Sequence, residues 1–97
     1  MRDLKVIVKQ PGKLPETIVI PDELAAFQRI VGGYIQAVAF NDDHLMIVHE
    51  EGKLIGLTPN FMFRNDVIVG PAVFVGVDQE DFADCTLSEE DIMRIIF

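Results

Sequence analysis

Residues 24–40, LAAFQRIVGGYIQAVAF, leave few options for what can surround them. Leu24, Phe27, Ile30 and Val31 stand at i, i+3, i+6 and i+7, the spacing that gathers apolar side chains on one helical face. Gly32 and Gly33 follow at once, and one of them can take the left-handed conformation that ends a helix without a Cβ penalty. Tyr34–Phe40 is then rich in strand formers. A short amphipathic helix that stops in two glycines and runs straight into an apolar strand must reverse onto a sheet, and the rest of the chain has to supply that sheet.

The flanking segments read accordingly. Leu4–Lys9 alternates, with Leu4, Val6 and Val8 on one side and Lys5, Ile7 and Lys9 on the other, which predicts a half-buried strand. QPGKLP (10–15) is a turn, and Glu16–Ile20 is a second strand pairing back as an antiparallel hairpin. Pro21 ends it; Asp22 is the expected N-cap of a helix over Glu23–Val31. After the third strand, Asn41-Asp42-Asp43 is a turn and Leu45–Glu50 a fourth strand, with Glu51-Gly52 turning into Lys53–Gly56. LTPNFMFRND (57–66) breaks the pattern and reads as a loop. Val67–Val69 and Ala72–Val77 are strand material divided by Gly70-Pro71, and Asp78–Thr86 is an acidic loop. Ser88 with Asp91 resembles a capping box, Leu87 can staple onto Ile92, and Ile92, Ile95 and Ile96 form the stripe of a last helix.

Length and charge narrow the function classes. Ninety-seven residues fit one domain, 1–97, with one modest core. No apolar run approaches a membrane span, and the charged, alternating start does not resemble a signal peptide. The lone Cys85 points to a reducing, cytoplasmic setting. The net charge of −8 is lopsided: residues 1–65 carry eight acids and seven bases, residues 66–97 eight acids and only Arg94. Seven acids between Asp78 and Asp91, with no base among them, would repel phosphate, so direct nucleic-acid binding is not expected. Such a stretch is either a solvated face or a docking surface for a basic partner, and in the second case Asp81, Asp84, Glu89 and Glu90 are the contact candidates.

No constellation for catalysis stands out. His44 and His49 are five residues apart in one strand and therefore face opposite ways, and no zinc-ligand spacing is present, so no metal and no cofactor are expected. Cys85 lies among Glu80, Asp81 and Asp84, which disfavour a thiolate. Gly32-Gly33 follow a helix instead of opening one, which is the wrong end for phosphate. Asp42, Asp43, Glu50 and Glu51 would make a cation site only if their hairpin loops met. The segment from Thr58 to Asp66 combines Asn60, Arg64, Asn65 and Asp66 with three large apolar side chains; it either plugs the end of the sheet with Phe61 and Phe63 or recognises a ligand through Asn60, Arg64 and Asp66. Tyr34, at the glycine junction, joins them as a binding candidate.

VGGYIQAV, EEGKLIGLTPN and DVIVGPAVFVG, in that order and spacing, resemble the small domains grouped as DUF3846, a family of unknown function common in phages and mobile elements of Gram-positive bacteria. The resemblance covers nearly the whole chain. It implies a small intracellular accessory protein, often carried on mobile DNA, and supplies no activity or catalytic residue. The first motif commonly has an acid where Gln36 stands, so no acid–base role is carried to that position.

The expected architecture is α+β, a mostly antiparallel sheet of five to six strands with two short helices. The expected function is non-enzymatic binding or regulation of a protein partner, a host nucleic-acid-handling or defence protein in the sharper version. The alternative is a small-ligand or nucleotide-binding domain using Asn60–Asp66.

Overall fold

The computed structural model describes residues 2–96. β1 (Asp3–Lys9) and β2 (Glu16–Pro21) form the antiparallel hairpin that their alternation predicts, in register from Asp3↔Pro21 to Val8↔Glu16. α1 (Leu24–Val31) follows, then β3 (Ile35–Asn41) and β4 (His44–His49), paired antiparallel across Asp42-Asp43. β5 (Pro59–Phe63) and β6 (Asp66–Val69) make a separate two-stranded sheet. β7 (Ala72–Asp78) returns to the middle of the large sheet, β8 (Asp81–Ala83) folds back on it, and α2 (Glu89–Ile96) comes last. The large sheet is antiparallel throughout, in the order β2-β1-β7-β4-β3, with β8 beside the far half of β7. This is the α+β architecture expected, a six-stranded antiparallel sheet with two helices.

Both faces of the sheet are covered, which makes three layers. Leu4, Val6, Val8, Ile47, Val73 and Val75 point to the face that receives Ala26, Phe27 and Val31 of α1. Ile7, Met46, Val48 and Phe74 point to the other, where Phe61, Phe63 and Ile68 of the small sheet and Ile92 and Ile96 of α2 pack. Each such Val, Leu, Ile, Met or Phe side chain contributes roughly 1.5–3 kcal/mol by leaving water. Because β1 is an interior strand under cover on both sides, its second half is buried at every position, not at alternate ones.

Several local expectations change in the tertiary setting. Asp22 does not cap α1: the N-cap is Glu23, without a side-chain cap bond, and the Asp22 carboxylate pairs with Arg2 at 3.0 Å. Leu24 and Ile95 remain exposed at 56% and 46%, because the faces turned to the core are Ala26, Phe27 and Val31 of α1 with Ile30 half-buried beside them, and Ile92 and Ile96 of α2 with Met93 half-buried beside them. Residues 53–56 are turns, not a strand. The 57–66 segment is not a loop: Phe61 and Phe63 are buried with Met62 exposed between them, a period of two that the bulge at Asn60 hides. Arg64 and Asn65, at φ 50° and 63°, make the tight two-residue turn between Phe63 and Asp66. The capping box is present as expected, Ser88 Oγ accepting from Asp91 N at 3.0 Å and Asp91 Oδ2 from Ser88 N at 2.9 Å.

Candidate functional site

The acids of the large sheet gather at its two ends. β4 separates Asp42 and Asp43, in the β3–β4 turn, from Glu50 and Glu51 beyond its other end, so these four acids form no single cation site. At the first end, Val77 N–H donates to the Asp43 carbonyl at 2.9 Å and locks the β3–β4 turn to the β7–β8 hairpin. Asp42, Asp43, Asp78, Glu80 and Asp81 thereby come to one end of the sheet, all exposed and without an ion-pair partner among the described residues.

The other acids of the C-terminal stretch are used internally. The Asp84 carboxylate accepts from Lys5 N–H at 2.8 Å, and Cys85 N–H donates to the Lys5 carbonyl at 2.8 Å, so the chain after β8 continues the sheet beside β1 where β7 diverges. Glu89 accepts from the hydroxyl and N–H of Thr17, at 2.7 and 2.9 Å, and the hydroxyl above all holds its carboxyl below the usual range. Glu90 pairs with Arg94 at 3.0 Å. Of the four contact candidates in this stretch, Asp81 alone carries no hydrogen bond or ion pair from its carboxylate among the described residues.

At the opposite end of the sheet lies a cleft of about 370 Å³ between β3 and β6. Val38, Val48 and Ile68 supply apolar walls; Gln36, Glu50, Glu51, Lys53 and Asp66 supply its polar lining, with Lys53 ion-paired to Asp66. Glu50 N–H donates to the Tyr34 carbonyl at 2.9 Å, and the Tyr34 side chain is 70% exposed. VGGYIQAV, EEGKLIGLTPN and DVIVGPAVFVG, distant in sequence, each contribute lining residues to this one cleft.

The other ligand-binding candidates are not brought together. Asn60 is turned inward by its bulge and is held by Lys9 and Gly70. Arg64 lies over the Phe63 ring, 4.9 Å from its centroid, and donates to the Phe40 carbonyl at 3.3 Å. Asp66 alone of the three reaches the cleft. The histidines face opposite sides of β4, as their spacing requires. His44 is buried; its Nε2 accepts from Thr86 N–H at 3.1 Å and its Nδ1 meets Asn41 Oδ1 at 3.0 Å. His49 Nδ1 accepts from Glu51 N–H at 2.9 Å. Cys85 is fully buried, which pushes its thiol up from the ordinary value. Among the described residues, no three His, Cys, Asp or Glu side chains converge where they could hold a metal ion. No helix among them is long and apolar enough to cross a membrane.

The cleft itself was not legible in the sequence, because its walls come from segments thirty residues apart in the chain. One signal was: IQAVAFN carries no charged residue along its whole length, although most of it is exposed or half-exposed.

The profile of the family described as "Domain of unknown function (DUF3846)" matches residues 1–96, and the chain belongs to that family. No curated protein and no solved structure matches it.

Proposed function

We propose that this protein is a non-enzymatic binding module that acts on a protein partner through its acidic surface. One observation carries the reading: the pairing of β4 with β7, extended by the Val77–Asp43 hydrogen bond, sets two acidic turns side by side, and their five carboxylates have no internal duty among the described residues. Clustering like charges costs stability, and a partner with complementary charge would offset that cost and be drawn in at long range. The sharper form is a cytoplasmic protein of phage or mobile-element origin that engages a host nucleic-acid-handling or defence protein, whose basic surface such a field would meet. The reading of Asn60–Asp66 as a ligand-binding loop has less support, since Asn60 faces the interior and its amide is engaged.

The test is affinity capture from the natural host with the native chain and with a variant carrying Asp42→Asn, Asp43→Asn, Asp78→Asn, Glu80→Gln and Asp81→Asn. A protein retained by the native chain, released by rising salt and lost from the variant is the expected result. Equal retention by both chains would exclude the acidic end as the contact.

A further inference from the structure

The large sheet has two outer strands, and among the described residues one of them is far better covered than the other. The pairs that exchange hydrogen bonds alternate along an antiparallel ladder, so every second residue of an outer strand turns its N–H and C=O outward. In β2 these are Thr17, Val19 and Pro21, as the outward bond from Thr17 N–H to Glu89 shows. Glu89 of α2 accepts the Thr17 N–H, Pro21 has no N–H, and the Pro21 carbonyl accepts from Glu23 N–H at 2.8 Å. Val19 is left as the one outward residue of that strand with an open N–H among the described residues.

Among the described residues, β3 has no such cover along its length. The bond from Glu50 N–H to the Tyr34 carbonyl fixes the phase, so Gln36↔Val48 and Val38↔Met46 are the hydrogen-bonded pairs. The bond from Val77 N–H to the Asp43 carbonyl, on the other side of β4, gives the same phase. Ile35, Ala37 and Ala39 therefore present three successive N–H and C=O sets to the outside. The strand has seven residues, IQAVAFN, with no charge and no proline to blunt it. Only at its last turn, where Phe40 forms a bulge, does Arg64 reach across to a carbonyl. A bare, uncharged edge of this kind is a template for another strand.

We propose that β3 receives an extended segment of the partner as an added strand, with an apolar, β-branched centre and Lys or Arg at both flanks; this rests on the functional reading above. Charge complementarity sets the flanks: Asp42 and Asp43 stand at one end of the edge and Glu50 and Glu51 at the other, none ion-paired among the described residues. The same charges oppose a second copy of this chain, since self-pairing in either direction lays acids against acids, at a net charge of −8 per chain. The cleft adds selectivity. Gln36 and Val38 form its wall on the β3 side, so an added-strand side chain on that face lies beside it. Its apolar walls with Glu50 and Glu51 beside them, Asp66 being paired with Lys53, suit a long aliphatic stem that ends in a cation.

The test uses a labelled peptide, Lys-Lys-Val-Thr-Val-Thr-Val-Arg-Lys, beside a control of equal charge, Lys-Lys-Gly-Ser-Gly-Ser-Gly-Arg-Lys. The first should bind with a Kd of about 0.1–1 mM. It should slow amide exchange at Ile35, Ala37 and Ala39 by about tenfold or more at saturation, with smaller changes elsewhere. The control should bind far more weakly and leave those amides unprotected. Ala37→Pro, which removes an outward N–H, should abolish binding; should that variant unfold, N-methylation of alternate peptide amides makes the same test on the native chain. Equal binding of both peptides, changes confined to residues 42–43 and 78–81, or no binding of either would overturn strand addition. Each of these leaves the acidic-partner reading to be decided by the capture experiment. Protection of the three amides in a dimer formed without peptide would overturn it in favour of a second copy.

Discussion

Lys9 and Asn60 hydrogen-bond each other in both directions: Lys9 Nζ donates to Asn60 Oδ1 at 3.0 Å, and Asn60 Nδ2 donates to the Lys9 carbonyl at 2.8 Å. Lys9 is only 4% exposed, and Asn60 also donates to the Gly70 carbonyl while Lys9 donates to that of Gln10, both at 2.8 Å. The pair ties the small sheet to the large one. Burial pushes the Lys9 ammonium down from its ordinary value. Asn60→Ala should destabilise the protein by roughly 3 kcal/mol, because it leaves a nearly buried ammonium and two carbonyls short of a partner. Asn60→Asp should not rescue it, since a carboxylate cannot donate to those carbonyls. Urea unfolding of the two variants checks both statements.

The two glycines after α1 are needed for different reasons, and two substitutions separate them. Gly32 has φ +88° and open space around a Cβ, so Gly32→Val should cost about 1–2 kcal/mol from backbone strain alone. A Cβ on Gly33 would come within 2.5 Å of His49 Nε2. Gly33→Ala should therefore displace the imidazole and weaken its bond from Glu51 N–H, moving the amide resonances of His49 and Glu51 at the mouth of the cleft. Gly32→Val should leave those resonances near their native positions.

Stability should fall as the pH drops from about 7 to 5.5. Burial lowers the His44 pKa, and Asp43 nearby only partly offsets that. Thr86 N–H occupies Nε2, so the folded state keeps the neutral ring. Above the unfolded value, about 6.5, both states are neutral and the contribution is fully present. Below it the unfolded chain takes up a proton that the folded chain resists, and stability declines until the folded pKa is passed. Glu89 and Asp91, lowered by bonds from Thr17 and from Ser88, act in a separate window: their contribution is present above about pH 4.5 and is lost as the pH falls through their folded values. Urea midpoints at pH 7 and 5.5 should differ for the native chain and converge for His44→Gln.

Ser88→Ala should cost about 1 kcal/mol, the usual effect of removing an N-cap hydroxyl. Since Glu89 links α2 to β2, fraying of the helix should also raise amide exchange at Thr17. A variant that loses stability with Thr17 still protected would mean the two features are independent.

Dialysis against a metal chelator should leave the melting temperature unchanged. A fall of several degrees, reversed by zinc, would reveal ligands that the arrangement of His44, His49 and Cys85 does not suggest.

Local patterns were enough to set the ingredients of this fold. The period of two in Leu4–Lys9, the glycine stop at Gly32 and the Ser88–Asp91 box are properties of neighbouring residues, so they could be read directly and they stand in the structure. Phe61-Met62-Phe63 escaped because a bulge at Asn60 shifts the register just where the alternation starts, and a tight turn at Arg64-Asn65 lacks the usual glycine. Tertiary structure alone decided how the acids divide. Asp84 and Glu89 are drawn to backbone amides on β1 and β2, while Asp42 and Asp43 are carried beside Asp78 and Asp81 by the pairing of β4 with β7, which the bond from Val77 N–H to the Asp43 carbonyl extends. It also decided that, among the described residues, β2 keeps one outward N–H open and β3 three, because strand order and the phase of the ladder follow from which strands meet in space, and no spacing along the chain records that.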